Sequence, residues 1–232
     1  MEVTAKNKLV VLTGAGISAE SGLSTFRDSG GLWEGHNVMD VASPEGWKRN
    51  KQLVLEFYNQ RRRQLANAEP NEAHKALVKL EEKYDVTIIT QNVDNLHERA
   101  GSSNVIHLHG ELTKARSSAN SELIYEIGSK DINIGDKCEL GSQLRPHVVW
   151  FGEAVPMMGE AIKHSYESGI FVIIGTSLVV YPAASLIEFV PQDSKIYLMD
   201  PSKPDNYFNH TRIHFIQKKA TEGMKELLDI LL

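Results

Sequence analysis

Cysteine is almost missing. Cys138 stands alone among 232 residues, so no disulfide can form within the chain, and a reducing compartment, the cytoplasm, is expected. Long hydrophobic runs are missing too. No apolar stretch approaches the ~18–20 residues of a membrane span, and the apolar part of the opening MEVTAKNKLVVL is too short for a signal peptide. Positive charge is scarce: 25 Lys and Arg against 30 Asp and Glu give a net charge of −5, with Arg61-Arg62-Arg63 the one basic cluster. Neither a nucleic acid nor a membrane is therefore expected as a partner. The sequence shows no internal repeat and no low-complexity tract. Its length suffices for one substantial core and a small second lobe.

What is present is concentrated first in residues 8–31, KLVVLTGAGISAESGLSTFRDSGG. Lys8 to Thr13 reads as a buried strand, Gly14-Ala15-Gly16 as a turn, and Ile17 to Gly22 as the start of a helix. Gly14 permits a tight turn and Gly16 lets a phosphate approach the backbone. Ala19 fills the third small position of a G-x-G-x-x-G/A fingerprint, where helix packs closely on strand. The helix N-terminus would offer N–H groups and partial positive charge to a pyrophosphate. A dinucleotide-binding unit ordinarily continues into a second strand and an acidic residue about 20 positions on. Here residues 24–50 hold Arg27, Asp28, Gly30, Gly31, Gly35, Pro44 and Gly46, with few apolar runs. A long loop of this kind is usually functional. From it Arg27 could reach a phosphate or ribose, and Phe26 could cover a base.

Further along, residues 45–67 have helical spacing through Leu53, Val54, Phe57, Tyr58, Arg61 and Leu65. Asn71 can cap a second helix that runs to about Lys83. Val86 to Thr90 and Val105 to Leu108 read as strands. Residues 111–144 turn polar and read as a small inserted lobe. Residues 146–153 return to a strand, Pro156 to Glu167 to a helix, and Ile170 to Ile174 to a strand that ends on Gly175-Thr176-Ser177. Ala183 to Val190 is expected helical, Lys195 to Met199 and Ile213 to Ile216 as strands, and Thr221 as the cap of a last helix. Strands alternating with helices predict an α/β fold, a Rossmann-like parallel sheet with helices on both faces. Its segments are 1–34, 84–110 and 145–232, with a helical insertion at 35–83 and the lobe at 111–144. Polar clusters at 13–18, 90–95 and 175–177 would meet at the carboxyl edge of the sheet, where ligands bind.

Five ordered motifs are more specific than this pattern. Gly14 to Gly22 with Thr25-Phe26-Arg27, Thr90-Gln91-Asn92-Val93-Asp94-Asn95-Leu96-His97, and His107-Leu108-His109-Gly110 come first. Val149-Trp150-Phe151-Gly152-Glu153 and Gly175-Thr176-Ser177-Leu178-Val179-Val180-Tyr181-Pro182 follow. In order and content they resemble the motifs of the sirtuins, the NAD-dependent protein-lysine deacylases, from about Lys8 to Ala220. The resemblance implies NAD as cofactor, acylated lysine side chains of proteins as partners, and release of nicotinamide and O-acyl-ADP-ribose.

It also implies roles. The acyl oxygen attacks C1′ of the nicotinamide ribose, and a base then activates a ribose hydroxyl. His109 would be that base, a task that suits an imidazole at neutral pH, while His107 is left structural. Asn92 and Asp94 would hold the nicotinamide and its ribose, and Gln91 a ribose. Ala15, Gly16 and Ser18 would line the pyrophosphate with Glu20 in the adjoining turn. After Gly175, Thr176 and Ser177 would take the adenosine side. Asp200 stands where sirtuins commonly place asparagine; it would accept from ribose hydroxyls and repel a 2′-phosphate. Ala220 would touch adenine. An extended peptide would add as a strand between Gly152-Glu153 and Leu178 to Tyr181, Val180 included, with Val149 and Phe151 lining the acyl-lysine tunnel. Tyr58 and Arg61 resemble the Tyr-x-x-Arg pair of sirtuins that accept acidic acyl groups, so succinyl or malonyl removal is expected beside acetyl.

One departure is large. Sirtuins usually carry two Cys-x-x-Cys pairs on a structural zinc after the histidine motif. Residues 111–144 contain only Cys138 and no histidine, too few good ligands for a tetrahedral site. The lobe is expected to lack zinc and to be held by apolar packing of Leu123, Ile124, Ile127, Ile132, Ile134 and Leu140. ADP-ribosyl transfer to protein and a non-catalytic NAD-binding sensor stay open as other readings.

Overall fold

Apolar runs of four to six residues make the framework. The computed structural model describes residues 7–24, 32–33, 35–203 and 212–232. Strand β1 (Lys8–Thr13) leads into two 3-10 turns, Ala15–Ile17 and Ala19–Ser21. The short strands β2 (Leu32–Trp33) and β3 (His36–Asn37) precede helices α1 (Val38–Val41), α2 (Pro44–Arg49), α3 (Lys51–Asn67) and α4 (Glu72–Leu80). Then come β4 (Asp85–Thr90), α5 (Leu96–Ala100), β5 (Val105–His107), β6 (Gly110–Ser117), β7 (Ile124–Glu126) and β8 (Leu144–Val148). The chain closes with α6 (Met158–Tyr166), β9 (Ile170–Ile174), a 3-10 segment Ala183–Phe189, β10 (Lys195–Met199), β11 (Ile213–Ile216) and α7 (Ala220–Leu231).

Six strands form one parallel sheet in the order β11-β10-β9-β1-β4-β5. Alternate residues of β1 serve opposite faces, as strand geometry requires. Leu9 and Val11 pack with residues of α4 and α7. Val10 and Leu12 pack with Ala161 of α6 and with the segment Ala183–Phe189. Burial on both faces explains the unbroken apolar runs. The order runs from β1 to β4 on one side and from β1 to β9 on the other. The loops after β1 and β9 therefore flank the reversal point, where such sheets leave a crevice.

Several expectations change. No α-helix starts at Ile17: the two 3-10 turns replace it, and Gly22 with φ +85° ends the second. The helix expected over 45–67 is two, because Asn50 leaves helical geometry and its side chain accepts from Leu53 N–H to start α3 afresh. Asn71 does cap α4, with Oδ1 accepting from Ala73 N–H, but α4 ends at Leu80. The strand expected over 146–153 lies earlier, at Leu144–Val148, where β6 is its partner. Helix α7 begins at Ala220, and Thr221 does not cap it. Instead Thr221 N–H and Oγ1 both donate to the Glu20 carboxylate, at 3.0 and 2.9 Å.

The lobe is an antiparallel sheet, β7-β6-β8. Its apolar packing is thinner than expected. Ile124, Ile134 and Leu140 are 45%, 54% and 62% exposed, and Leu123 packs in none of the buried clusters. Ile132 is buried, and Ile127 and Leu144 are partly so, against residues of α3. Polar side chains of α3 do the rest. Asn59 donates to Ile132 O at 3.1 Å and accepts from Ile132 N–H at 3.0 Å. Arg62 Nε donates to Lys130 O at 3.0 Å, Nη1 to Leu112 O at 3.4 Å, and Nη2 to Asn59 Oδ1. A turn-rich segment has many backbone groups to satisfy, and buried ones need partners.

Candidate active site

The two glycine loops touch. Gly14 N–H donates to Ile174 O at 3.0 Å and Gly16 N–H to Gly175 O at 2.9 Å. A Cβ on Gly16 would stand 2.5 Å from Gly175 Cα, and one on Gly14 2.8 Å from Thr176 Cβ. These glycines are demanded by loop-to-loop contact. Ala19 is exposed, so it does not pack helix on strand. Glu20, tied to Thr221, links the same loop to the start of α7.

Residues after β4 reach across to both loops. Gln91 Nε2 donates to Thr176 Oγ1 at 3.1 Å. Asn92 Nδ2 donates to Gly14 O at 3.2 Å and to Ser18 Oγ at 3.3 Å. Ser18 Oγ donates to Asp94 Oδ2 at 3.0 Å, and Leu96 N–H to Asp94 Oδ1 at 3.1 Å. Burial pushes the Asp94 carboxyl above its usual pKa against the pull of those two donors.

His109 follows β5. Its Nδ1 lies 2.9 Å from Gln91 O. A carbonyl only accepts, so Nδ1 carries the hydrogen and the lone pair sits on Nε2. Burial lowers its pKa, so the ring is neutral at pH 7. His107 differs: Nδ1 faces Asn92 O at 3.2 Å and Nε2 faces Glu98 Oε1 at 2.6 Å. Two acceptors require two donors. Burial opposes that charge, but the Glu98 carboxylate outweighs it and raises the pKa.

The opposite wall comes from α3 and the segment after β8. Tyr58 is fully buried, and Trp150 Nε1 donates to its hydroxyl at 3.0 Å. Arg61 is buried with its guanidinium 4.1 Å from the Phe57 ring centroid, donating to Phe57 O at 3.0 Å. Trp33 meets Phe57 and Tyr58 edge-on, centroids 5.0 and 6.2 Å apart. Glu153 turns inward. It accepts from Arg145 at 2.7 Å, Arg116 at 3.0 Å and Trp150 N–H at 2.9 Å. Burial would raise its pKa, yet these partners hold it below the usual range. Leu178 takes the left-handed conformation, φ +55°, rare outside glycine. Its side chain enters the core below the crevice, so only its backbone is left for a peptide.

One cavity of about 760 Å³ joins these parts. Gly14, Ala15, Gly16, Ser18, Glu20, Gln91, Asn92, Asp94 and His109 line it, as do Gly175, Thr176, Ser177, Asp200 and Ala220. Tyr58, Arg61, Val149, Phe151, Gly152, Glu153, Val180 and Tyr181 complete it. Phe151 and Tyr181 are exposed at the rim. Leu178 does not line it, and Phe26 and Arg27 lie outside the described residues. Among the described residues no cluster of His, Cys, Asp and Glu is placed for a metal ion. Cys138 Sγ instead lies 3.3 and 3.0 Å from the hydroxyls of Ser117 and Ser142, so the donor set does not fit zinc.

The Sir2 family pattern matches residues 14–182. The chain belongs to the Sir2 family. A relative from Helicobacter pylori (strain ATCC 700392 / 26695), named NAD-dependent protein deacylase, is 56% identical over 224 residues, 97% of each chain. One of the same name from Bacteroides thetaiotaomicron is 53% identical over 229 residues, again 97% of each. A solved Sir2 homolog–NAD complex superposes with TM-score 0.87 at 39% identity, covering 97% of this chain and 90% of that one. A Sir2–p53 peptide–NAD+ complex gives 0.79 at 31%, covering 97% and 93%.

The cleft of this sirtuin also uses residues to which the sequence alone assigns no role. Trp150 belongs to a quoted motif, and its indole, between two valines and Phe151-Gly152, is the available signal. Gln64 lines the cavity one helical turn beyond Arg61, so i, i+3 spacing from Tyr58 and Arg61 points to it. Trp33, Ser24 and Leu112 carry no such signal.

Proposed function

We propose that the chain is an NAD-dependent protein-lysine deacylase acting on acetyl and on acidic acyl groups such as succinyl and malonyl. One observation carries the reading. A neutral His109 with its lone pair on Nε2 lines the same cavity as the two glycine loops and the Tyr58–Arg61 wall. NAD supplies an electrophilic ribose carbon with nicotinamide as its leaving group. The hydroxyl and amide groups of Ser18, Gln91, Thr176 and Ser177, with the Asp200 carboxylate, suit its phosphates and riboses. Glu20 acts at one remove, bracing the first loop on α7. Asn92 and Asp94 hold the nicotinamide end, and Ala220 meets adenine. His109 takes a proton from a ribose hydroxyl at Nε2, and Gln91 O keeps the ring turned for it.

The substrate peptide lies extended between Gly152-Glu153 and the backbone of Leu178 to Tyr181. Because Glu153 is engaged by two arginines, its carboxylate shapes this segment rather than touching the peptide. Val149 and Phe151 guide the lysine, and Arg61 with Tyr58 receives an acyl carboxylate. The lobe works without zinc, in a cytoplasmic enzyme; among the described residues no helix is long and apolar enough to cross a membrane.

A panel of acetyl-, malonyl- and succinyl-lysine peptides with NAD, read by mass spectrometry with a chelator present, tests this. Free lysine, nicotinamide and O-acyl-ADP-ribose are expected. Protein that gains ADP-ribose, or no nicotinamide release from any peptide, would overturn it. Arg61→Met should cut the succinyl reaction more than the acetyl one.

A further inference from the structure

A neighbour dictates how one hydroxyl in this cleft is used. Trp150 Nε1–H donates to Tyr58 Oη at 3.0 Å, and both side chains are buried. An indole N–H can only donate. It therefore fills an acceptor position of the phenol oxygen and leaves that oxygen's own hydrogen for another partner. Burial holds the phenol well above its ordinary pKa, so the hydrogen is present at any working pH. Among the described residues it meets no acceptor, and Tyr58 lines the cleft with Arg61. The indole is itself fixed. Its backbone N–H donates to Glu153 at 2.9 Å, and the Arg145 guanidinium lies 3.2 Å from its ring centroid. Arg145 in turn pairs with Glu153 at 2.7 Å.

We propose that Trp150 is a positioning residue that sets acyl specificity: by donating to Tyr58 it makes that hydroxyl a donor toward the cleft. Tyr58 and Arg61 then both present donors to the cleft. They select acyl groups that end in an acceptor, a carboxylate foremost. A terminus with only N–H donors, such as an ammonium, would leave buried donors facing donors, an arrangement that is costly. The inference rests on the reading of Tyr58 and Arg61 as the acyl-binding pair, and it requires no contact between Trp150 and the acyl group.

The test measures kcat/KM on succinyl- and acetyl-lysine peptides for the native enzyme, Trp150→Phe, Tyr58→Phe and the double variant. Trp150→Phe should lower succinyl relative to acetyl activity roughly tenfold, as for loss of a hydrogen bond to a charged group, mostly through KM. Tyr58→Phe should do the same, and the double variant should be no more selective a loss than Tyr58→Phe alone. An unchanged succinyl-to-acetyl ratio in Tyr58→Phe would sink the acyl-pocket reading itself. A changed ratio there with an unchanged one in Trp150→Phe, or two losses that multiply in the double variant, would overturn this inference alone. If Trp150→Phe does not fold, benzothienylalanine at position 150, which keeps the ring shape and lacks the N–H, separates the same outcomes.

Discussion

His107 and His109 sit two positions apart, and their pKa values move in opposite directions. Glu98 on α5 raises the first, while burial lowers the second against the pull of the Gln91 carbonyl, which fixes the hydrogen on Nδ1 and leaves Nε2 basic. The position of His109 was legible, because the motif and the strand end mark it. Its tautomer was not, since the carbonyl that fixes it lies 18 residues away. Trp150 was illegible for the same reason: its partner Tyr58 is 92 residues distant. The protonation states have a measurable result. The proposed base must be neutral, and burial lowers its pKa, so the acid limb of kcat/KM on an acetyl peptide should be centred below the free imidazole value. An acid limb centred at or above the free imidazole value of about 6.5 would assign the base elsewhere. His109→Ala should cost about 10²–10⁴-fold in rate.

Helix α3 explains why one basic run has three destinations. Successive residues point about 100° apart around a helix, so Arg61 lines the cleft, Arg62 faces the lobe and Arg63 faces solvent. Arg63 pairs with Glu56 and Asp131 on the surface, whereas Arg62 is 1% exposed and bonds two backbone carbonyls and Asn59. Taken alone, the run suggests a solvated basic patch; only the lobe against it shows otherwise. The lobe's strands were illegible because β6 reads GELTKARS, a polar string whose pairing depends on β7 and β8. Arg62→Met leaves buried carbonyls without donors and should destabilise by about 2–4 kcal/mol. Arg63→Met should stay within about 1 kcal/mol, as exposed ion pairs do. Urea midpoints decide between them, and hydrogen exchange at the Ile132 amide should accelerate only in the first. Equal effects would mean that the buried Arg62 contacts are not what fastens the lobe to α3. A chelator should leave the midpoint of the native protein unchanged.

At the scale of the whole molecule the parallel sheet was the most legible feature, because strands buried on both faces must be apolar throughout. What the sequence concealed is a pair of histidines sealed under the cleft. His74 and His97 are both 0% exposed, with ring centroids 4.9 Å apart. His74 Nδ1 accepts from Asn71 N–H at 3.3 Å, and His97 Nε2 meets Thr13 Oγ1 at 3.1 Å. The other nitrogen of each ring has no partner among the described residues. Burial lowers His74 from 6.5 to about 4 and His97 well below its ordinary value, where the His74 and His107 charges also oppose protonation. Such groups bind protons in the unfolded chain before they do in the folded one. Their contribution is therefore whole above about pH 6.5 and is lost as pH falls toward about 4, on the order of 3 kcal/mol for His74 alone. His107 has the opposite sign: its raised pKa adds stability below 6.5 that disappears as pH rises through its folded value. The two trends together predict a stability maximum near neutral pH, with the steeper decline on the acid side. Urea titrations from pH 4 to 9 should trace it. His74→Gln, which removes a titrating group and keeps an amide near Asn71, should flatten the acid side at some cost at pH 7. An acid limb equally steep in that variant would show that the buried histidine pair does not set the acid sensitivity.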